Sequence, residues 1–199
     1  MAPSNAASPG ERRYGAAAVI LHWTIAVLIL VQIGLGWYMN HVVPDHSPAQ
    51  ERIETLHISI GLTTLLLILA RIGVRLAHRT APEPGLPPWE RTLAGAAHLL
   101  FYGLMLALPL TGWALVSVRP FPILFWGLHW PVMPGLGFMT GREHRAAHHL
   151  LQDVHTDYLV WITLANLALH LAGALKHQFD GHPVLWRMAP FLFKPPRAV

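Results

Sequence analysis

The chain has no cysteine. That excludes disulfides, thiolate-bound metal, iron–sulfur clusters and covalently attached c-type haem. Charge is the second shortage. Only 12% of the 199 residues are charged, against about 25% in ordinary soluble domains. By contrast 53% are hydrophobic and the mean hydropathy is +0.41. One soluble core could not absorb that much apolar sequence. Carboxylates are missing from the middle of the apolar runs, which argues against a proton relay or a carboxylate-bridged metal centre there. Internal repeats and a nucleotide-binding glycine motif are also lacking. The pI near 10 does not indicate nucleic-acid binding, because the basic residues are spread around apolar segments, as membrane topology would place them.

What is present is four long apolar runs. They predict helices over about 16–39, 55–76, 93–118 and 156–175. Each is long enough to cross about 30 Å of hydrocarbon at about 1.5 Å per residue. The expected fold is all-α, a transmembrane four-helix bundle in contact with membrane lipid. Tyr14 to Pro44 holds no Asp, Glu, Lys or Arg. This stretch exceeds the apolar region of a signal peptide and ends in no small-residue cleavage site, so it reads as a retained helix. Pro109 should kink the third helix, which neighbouring helices can tolerate.

Lys and Arg set the orientation. With a cytoplasmic N-terminus the inner side holds Arg12, Arg13, Arg71, Arg75, Arg79, Arg91, Lys176, Arg187, Lys194 and Arg197, and the outer side holds Arg52, Arg119, Arg142 and Arg145. Ten against four is a positive-inside bias, so both termini are expected in the cytoplasm. Arg71 and Arg75 close the second helix, where long side chains can snorkel to the headgroups. The inner connection Ala77 to Arg91 contains APEPGLPPWE and cannot be helical throughout. The outer segment Pro120 to Gly141 is interrupted by four prolines, and is expected to lie as an aromatic cap over the outer end of the bundle.

Histidine carries the chemistry. His22, His57, His98, His155 and His170 lie in or beside the apolar runs. An ionisable group at membrane depth is costly and usually functional, and imidazole is a common ligand of haem iron and other transition metals. His57 and His155 open their helices at the outer level, whereas His22 and His170 lie at the inner level. On the fourth helix, His155 and His170 are 15 residues apart, roughly 22 Å in rise and about 60° in direction. Both can face one bundle interior at opposite depths, as two stacked metal centres require and one mononuclear site does not. His98 stands at the level of His22. It is a rival inner ligand, a contact for a cofactor propionate or a quinone, or a structural residue.

Haem suits this arrangement better than zinc or copper. Gly61, Gly95, Gly103, Gly112 and Gly173 would admit a flat macrocycle, although close helix packing also explains them. His41, His46, His129, His144, His148 and His149 fall in expected outer loops with no specific metal spacing. They read as solvated residues, and with Arg142 and Arg145 they could form a positive funnel for a small anion. His78, His177 and His182 are inner-side residues, and His177 could meet a quinone headgroup.

The motifs LHW at 21–23, ETLHISIG at 54–61, AHLLFYGLMLALPLTGW at 97–113, VHTDY at 154–158, HLAGALKH at 170–177 and LWRMAP at 185–190 occur in this order. By these the chain resembles the prokaryotic cytochrome b561 family, within the four-helix dihaem b cytochromes. The resemblance implies one integral-membrane cytochrome b domain over 1–199 in the bacterial inner membrane. It also implies two haem b groups with His22, His57, His155 and His170 as axial ligands, and ubiquinone or another quinone as a redox partner. One departure is an interval of 15 residues between the two histidines of the last helix, where the family has 14. A π-bulge or a shifted helix start would absorb the extra residue.

Bis-histidine ligation leaves no open position on the iron and favours electron transfer over oxygen binding. Some relatives of this kind are similar to superoxide oxidases, which pass an electron from superoxide to ubiquinone. Two other readings share the sequence features: a haem-bearing membrane anchor for a hydrogenase- or dehydrogenase-type partner protein, and a haem-free metal transporter.

Overall fold

Each apolar run forms a helix, and each helix continues into polar sequence at one end or both. The computed structural model describes residues 15–77, 87–137, 141–180, 185–189 and 192–193. Helix α1 is Ala16–His41, α2 is Pro48–Ala77 and α3 is Pro88–Ser117. The fourth long helix runs from Gly141 to Phe179. It comprises α4 (Gly141–Gln152), a π-helical stretch (Asp153–Leu159) and α5 (Val160–Phe179). A short α6 (Leu185–Met188) follows. All four long helices are long and apolar enough to span a membrane. His78 and His182 lie outside the described residues, as do Arg12, Arg13, Arg79, Lys194 and Arg197.

The early helix starts have local causes. Ser47 precedes α2, and its hydroxyl accepts the Gln50 main-chain N–H at 3.2 Å. The Gln50 side chain reaches back to accept the His46 N–H at 2.7 Å. This is a capping box in slightly shifted form, with Pro48 at the first helical position where its missing N–H costs nothing. Pro88 opens α3 in the same way. The largest displacement is in the last helix, which begins fifteen residues before the expected Thr156. The added turns, GREHRAAHHLLQ, are polar, so hydropathy alone could not reveal them.

Close backbone contact runs between α1 and α2, α2 and α3, and α3 and α5. Helix α2 is the most enclosed, burying Ser59, Leu62, Thr64, Leu65 and Ile68. Elsewhere the apolar surface points outward, and most residues of each apolar stretch are not buried against the rest of the protein. Such faces suit lipid, where apolar burial between helices has no driving force and polar contacts between helices contribute about 0.6–2 kcal/mol each. Asn166 on α5 is one such contact, donating to the Ala97 carbonyl of α3 at 3.3 Å.

The segment after α3 is a cap, but it contains an antiparallel hairpin that hydropathy did not show. Strand β1 (Ile123–Phe125) pairs with β2 (Leu128–Trp130), with Leu124 opposite His129. Trp126 and Gly127 make the two-residue turn with φ of 50° and 85°. Positive φ at both positions matches strand twist, and glycine accepts it without strain. Trp126 does not, and is held by α2. Its main-chain N–H reaches Ser59 Oγ at 3.1 Å, and its indole N–H reaches Thr63 Oγ1 at 3.0 Å. Ser59→Ala should therefore leave that N–H unpaired and cost about 1–3 kcal/mol. Thermal unfolding in detergent would check this; an unchanged midpoint would contradict the pinning.

Candidate functional site: two facing histidine pairs

The side chains that face one another across the bundle are the histidines. His22 of α1 faces His170 of α5 with ring centres 6.4 Å apart. His57 of α2 faces His155 of the π-helical stretch with ring centres 6.2 Å apart. The His57–His155 pair lies at the hairpin end and the other at the far end. Helix backbones make few close contacts between α1 and α5 or between α2 and the π-helical stretch, and these are where the rings meet. All four rings are half-buried, whereas His98 is exposed on α3.

Two imidazoles that held one metal ion between them, each bonded at about 2.0–2.1 Å, would have ring centres about 6 Å apart. Both observed separations fit that span. His98 approaches the His170 ring edge-on at 5.6 Å, and Phe101 also packs edge-on against it at 5.3 Å. Among the described residues, no group of three or more His, Cys, Asp or Glu side chains is arranged to hold a metal ion.

The hairpin-end pair sits in a carved space. A Cβ on Gly112 would lie 3.0 Å from His155 Cε1 and 3.5 Å from each ring nitrogen. A Cβ on Gly36 would lie 3.6 Å from His57 Cε1. Gly112 was legible in the sequence as a space-making residue; Gly36 was missed, because its value depends on a ring from another helix. Gly61 instead receives the Gln32 side chain, whose Nε2 would be 2.8 Å from an added Cβ and donates to the His57 carbonyl at 2.8 Å. Gly95, Gly103 and Gly173 face open space.

Hydrogen bonds prepare the ring nitrogens. The single hydroxyl proton of Thr111 is directed to Ala107 O at 2.7 Å or Leu108 O at 3.0 Å. Its oxygen is therefore the acceptor facing His155 Nδ1 at 3.1 Å. A proton on Nδ1 leaves the Nε2 lone pair free, the tautomer an orienting hydrogen bond selects in metal-ligating histidines. His57 Nδ1 is buried with no hydrogen-bond partner. A buried imidazole with an unsatisfied nitrogen is a donor that a metal can complete.

The π-helical stretch resolves the odd spacing in the last helix. Its wider turn takes up one residue around His155. The interval to His170 then behaves as about fourteen α-helical residues, roughly 21 Å in rise and about 40° in direction.

The hairpin end carries charge of both signs, Arg52, Arg119, Arg142 and Arg145 standing with Asp45, Glu51, Glu54, Glu143, Asp153 and Asp157. Arg119, His144, Arg145, His148 and His149 line a shallow cavity of about 280 Å³. His144, His148 and His149 therefore belong to a helix, α4, and not to a loop. Arg119 is already paired with Glu54 of α2. Partial burial holds its guanidinium below the ordinary range, with that carboxylate as counter-ion. At the far end Glu90 meets Lys176 Nζ at 3.0 Å and His177 Nδ1 at 3.6 Å. The indole of Trp23, next to His22, donates to the Met188 carbonyl at 2.7 Å, which folds α6 against α1.

Comparison with known proteins gives this geometry its family. The model of the prokaryotic cytochrome b561 family matches residues 13–191. Cytochrome b561 homolog 2 of Escherichia coli is 28% identical over 178 residues, 88% of this chain and 90% of that protein. A protein of Yersinia pestis named "Probable superoxide oxidase CybB" is 26% identical over 170 residues, 85% of this chain and 90% of its own length. Cytochrome b562 of Cereibacter sphaeroides is 32% identical over 111 residues, 52% of this chain and 68% of its own. With the family model covering nearly the whole chain, the protein belongs to the prokaryotic cytochrome b561 family of haem-binding, electron-transporting membrane proteins.

Proposed function

We propose that the chain holds two b haems, one between His57 and His155 and one between His22 and His170, and carries electrons between a donor at the hairpin end and a quinone. The observation that supports this most directly is the pair of ring separations, 6.2 and 6.4 Å, at opposite ends of one helix bundle. Haem b supplies a one-electron couple that needs no open coordination position when both axial ligands are imidazoles. The protein's part is to fix four rings on three helices, surround them with apolar side chains and keep water away. We place the protein as a multi-pass component of the bacterial inner membrane with both termini in the cytoplasm, as the distribution of Lys and Arg favours.

The donor we propose is superoxide. Two superoxide ions each give up one electron and become dioxygen; a quinone takes both electrons with two protons and becomes a quinol. Support comes from the Yersinia pestis relative's name and from the groove at the hairpin end, lined by Arg119, Arg145 and three histidines. Because Arg119 is paired with Glu54, attraction of a small anion falls to Arg142 and Arg145, both exposed on α4. Salt screens such attraction over about 8–10 Å near physiological ionic strength.

The test is quinone reduction by superoxide with the purified protein alone. We expect turnover that slows as ionic strength rises, and slows again in Arg142→Gln/Arg145→Gln at unchanged haem content. Rates insensitive to both would remove the steering. Failure of superoxide to reduce the protein, with reduction restored by a hydrogenase- or dehydrogenase-type subunit, would make the chain a membrane anchor.

A further inference from the structure

Arg71 does not behave as a residue reaching for the membrane surface. It follows His57 on α2 by fourteen residues, about 21 Å in rise and roughly 40° in direction, so it occupies the same face of α2 at the level of the far-end pair. The residue is half-buried. Its guanidinium crosses to α1, where Nη1 donates to the Ala18 carbonyl at 3.2 Å, one helical turn before His22. Its charge is within electrostatic reach of His22, His170 and His98. His22, His170 and His98, on three other helices, are gathered at this same end of the bundle.

A guanidinium has five N–H donors, and Arg71 uses one of them in its main-chain contact with Ala18, while no carboxylate among the described residues lies within ion-pair distance. The nearby acidic groups of this end are engaged elsewhere: Glu90 with Lys176 and His177, and Asp180 with Lys176. A charge aimed into a bundle interior is costly without a counter-ion. Guanidinium geometry matches a carboxylate or phosphate in a two-point contact. Haem b carries two carboxylate side chains, and a lipid phosphate offers similar oxyanion chemistry. The inward aim, toward α1 and the histidines, favours the carboxylate source.

We infer that Arg71 is the counter-ion of a propionate carboxylate on the haem held by His22 and His170, and that it raises the reduction potential of this site relative to the same site without it. The inference rests on the proposed haem at the far end. Adding an electron adds negative charge, so a nearby fixed positive charge favours the reduced state. Losing Arg71 removes that charge and also leaves the propionate's own charge uncompensated. Both effects act in one direction. Arg71 is a positioning and tuning residue here; it touches no electron donor or acceptor.

An optical redox titration of the full-length, haem-loaded protein tests this. His170→Ala first identifies which of the two reduction waves belongs to the far end. In Arg71→Gln that wave should move to lower potential, with about a tenfold fall in the reduction equilibrium constant, or ~59 mV for one electron. The other wave should stay in place, and Arg71→Lys should recover most of the shift. Should Arg71→Gln fail to load haem, Arg71→Lys still carries the test. Its carboxylate bands in the redox-difference infrared spectrum should be displaced from those of the wild type, because the two-point contact is gone. Two waves in the wild type, with neither moved by Arg71→Gln, would overturn the role of Arg71 and point to a lipid phosphate. Unaltered carboxylate bands in Arg71→Lys would overturn it equally. One haem per chain in the wild type, or no haem signal lost in His170→Ala, would instead overturn the far-end haem itself.

Discussion

Gly112→Val is expected to empty the hairpin-end site and leave the far-end site loaded. The cause is steric. A Cβ added at position 112 would stand 3.0 Å from His155 Cε1, closer than carbon atoms pack without yielding, and 3.5 Å from both ring nitrogens. Valine adds two methyl groups beyond that Cβ, and its χ1 is restricted in a helix. The His155 ring must then leave the place where it faces His57, and Thr111 loses its hold on Nδ1. Haem content should fall from two to one per chain, with the far-end redox wave unchanged. Gly112→Ala should act in the same direction more weakly, since a shift of a few tenths of an ångström accommodates it. Full content in Gly112→Val would show that the ring is not fixed by this contact.

The second large effect separates the rival ligands at the far end. His22→Ala and His170→Ala should each abolish the far-end haem signal while the hairpin-end signal persists, because bis-histidine ligation needs both rings and the other pair lies roughly four turns away. His98→Ala should retain the far-end haem. Its ring meets His170 edge-on at 5.6 Å from an exposed position on α3, whereas His22 faces His170 across the open seam. Low-temperature optical spectra and haem content would read the outcome. Complete loss in His98→Ala, with retention in His22→Ala, would move the ligand from α1 to α3.

The histidines and the four apolar runs were legible because each signal is local: an ionisable ring inside an uncharged stretch, and a stretch long enough to span. The polar helix ends were not. Pro48 to Glu54 and Gly141 to Gln152 are helical for reasons of capping and continuity, and hydropathy is blind to both. Ser47 and Gln50 carried the first signal in plain view. The hairpin was hidden because its turn places Trp126, a bulky residue, at positive φ, which only Ser59 and Thr63 on a remote helix make tenable. The extra residue between His155 and His170 announced an irregularity without choosing between a π turn and a shifted start; the backbone takes the π turn. Gly36 and the inward path of Arg71 depend on contacts between helices, which no single-segment pattern encodes.

Both large effects presuppose two loaded levels, so stoichiometry is the most direct test of the account. Pyridine haemochrome analysis of pure, full-length protein, set against quantitative amino-acid analysis, should give two b haems per chain. A reduced-minus-oxidised titration of the same sample should resolve two one-electron waves. A fully loaded preparation with one haem per chain and one wave would contradict the two-level arrangement, and with it the pairing of His57 with His155 and of His22 with His170.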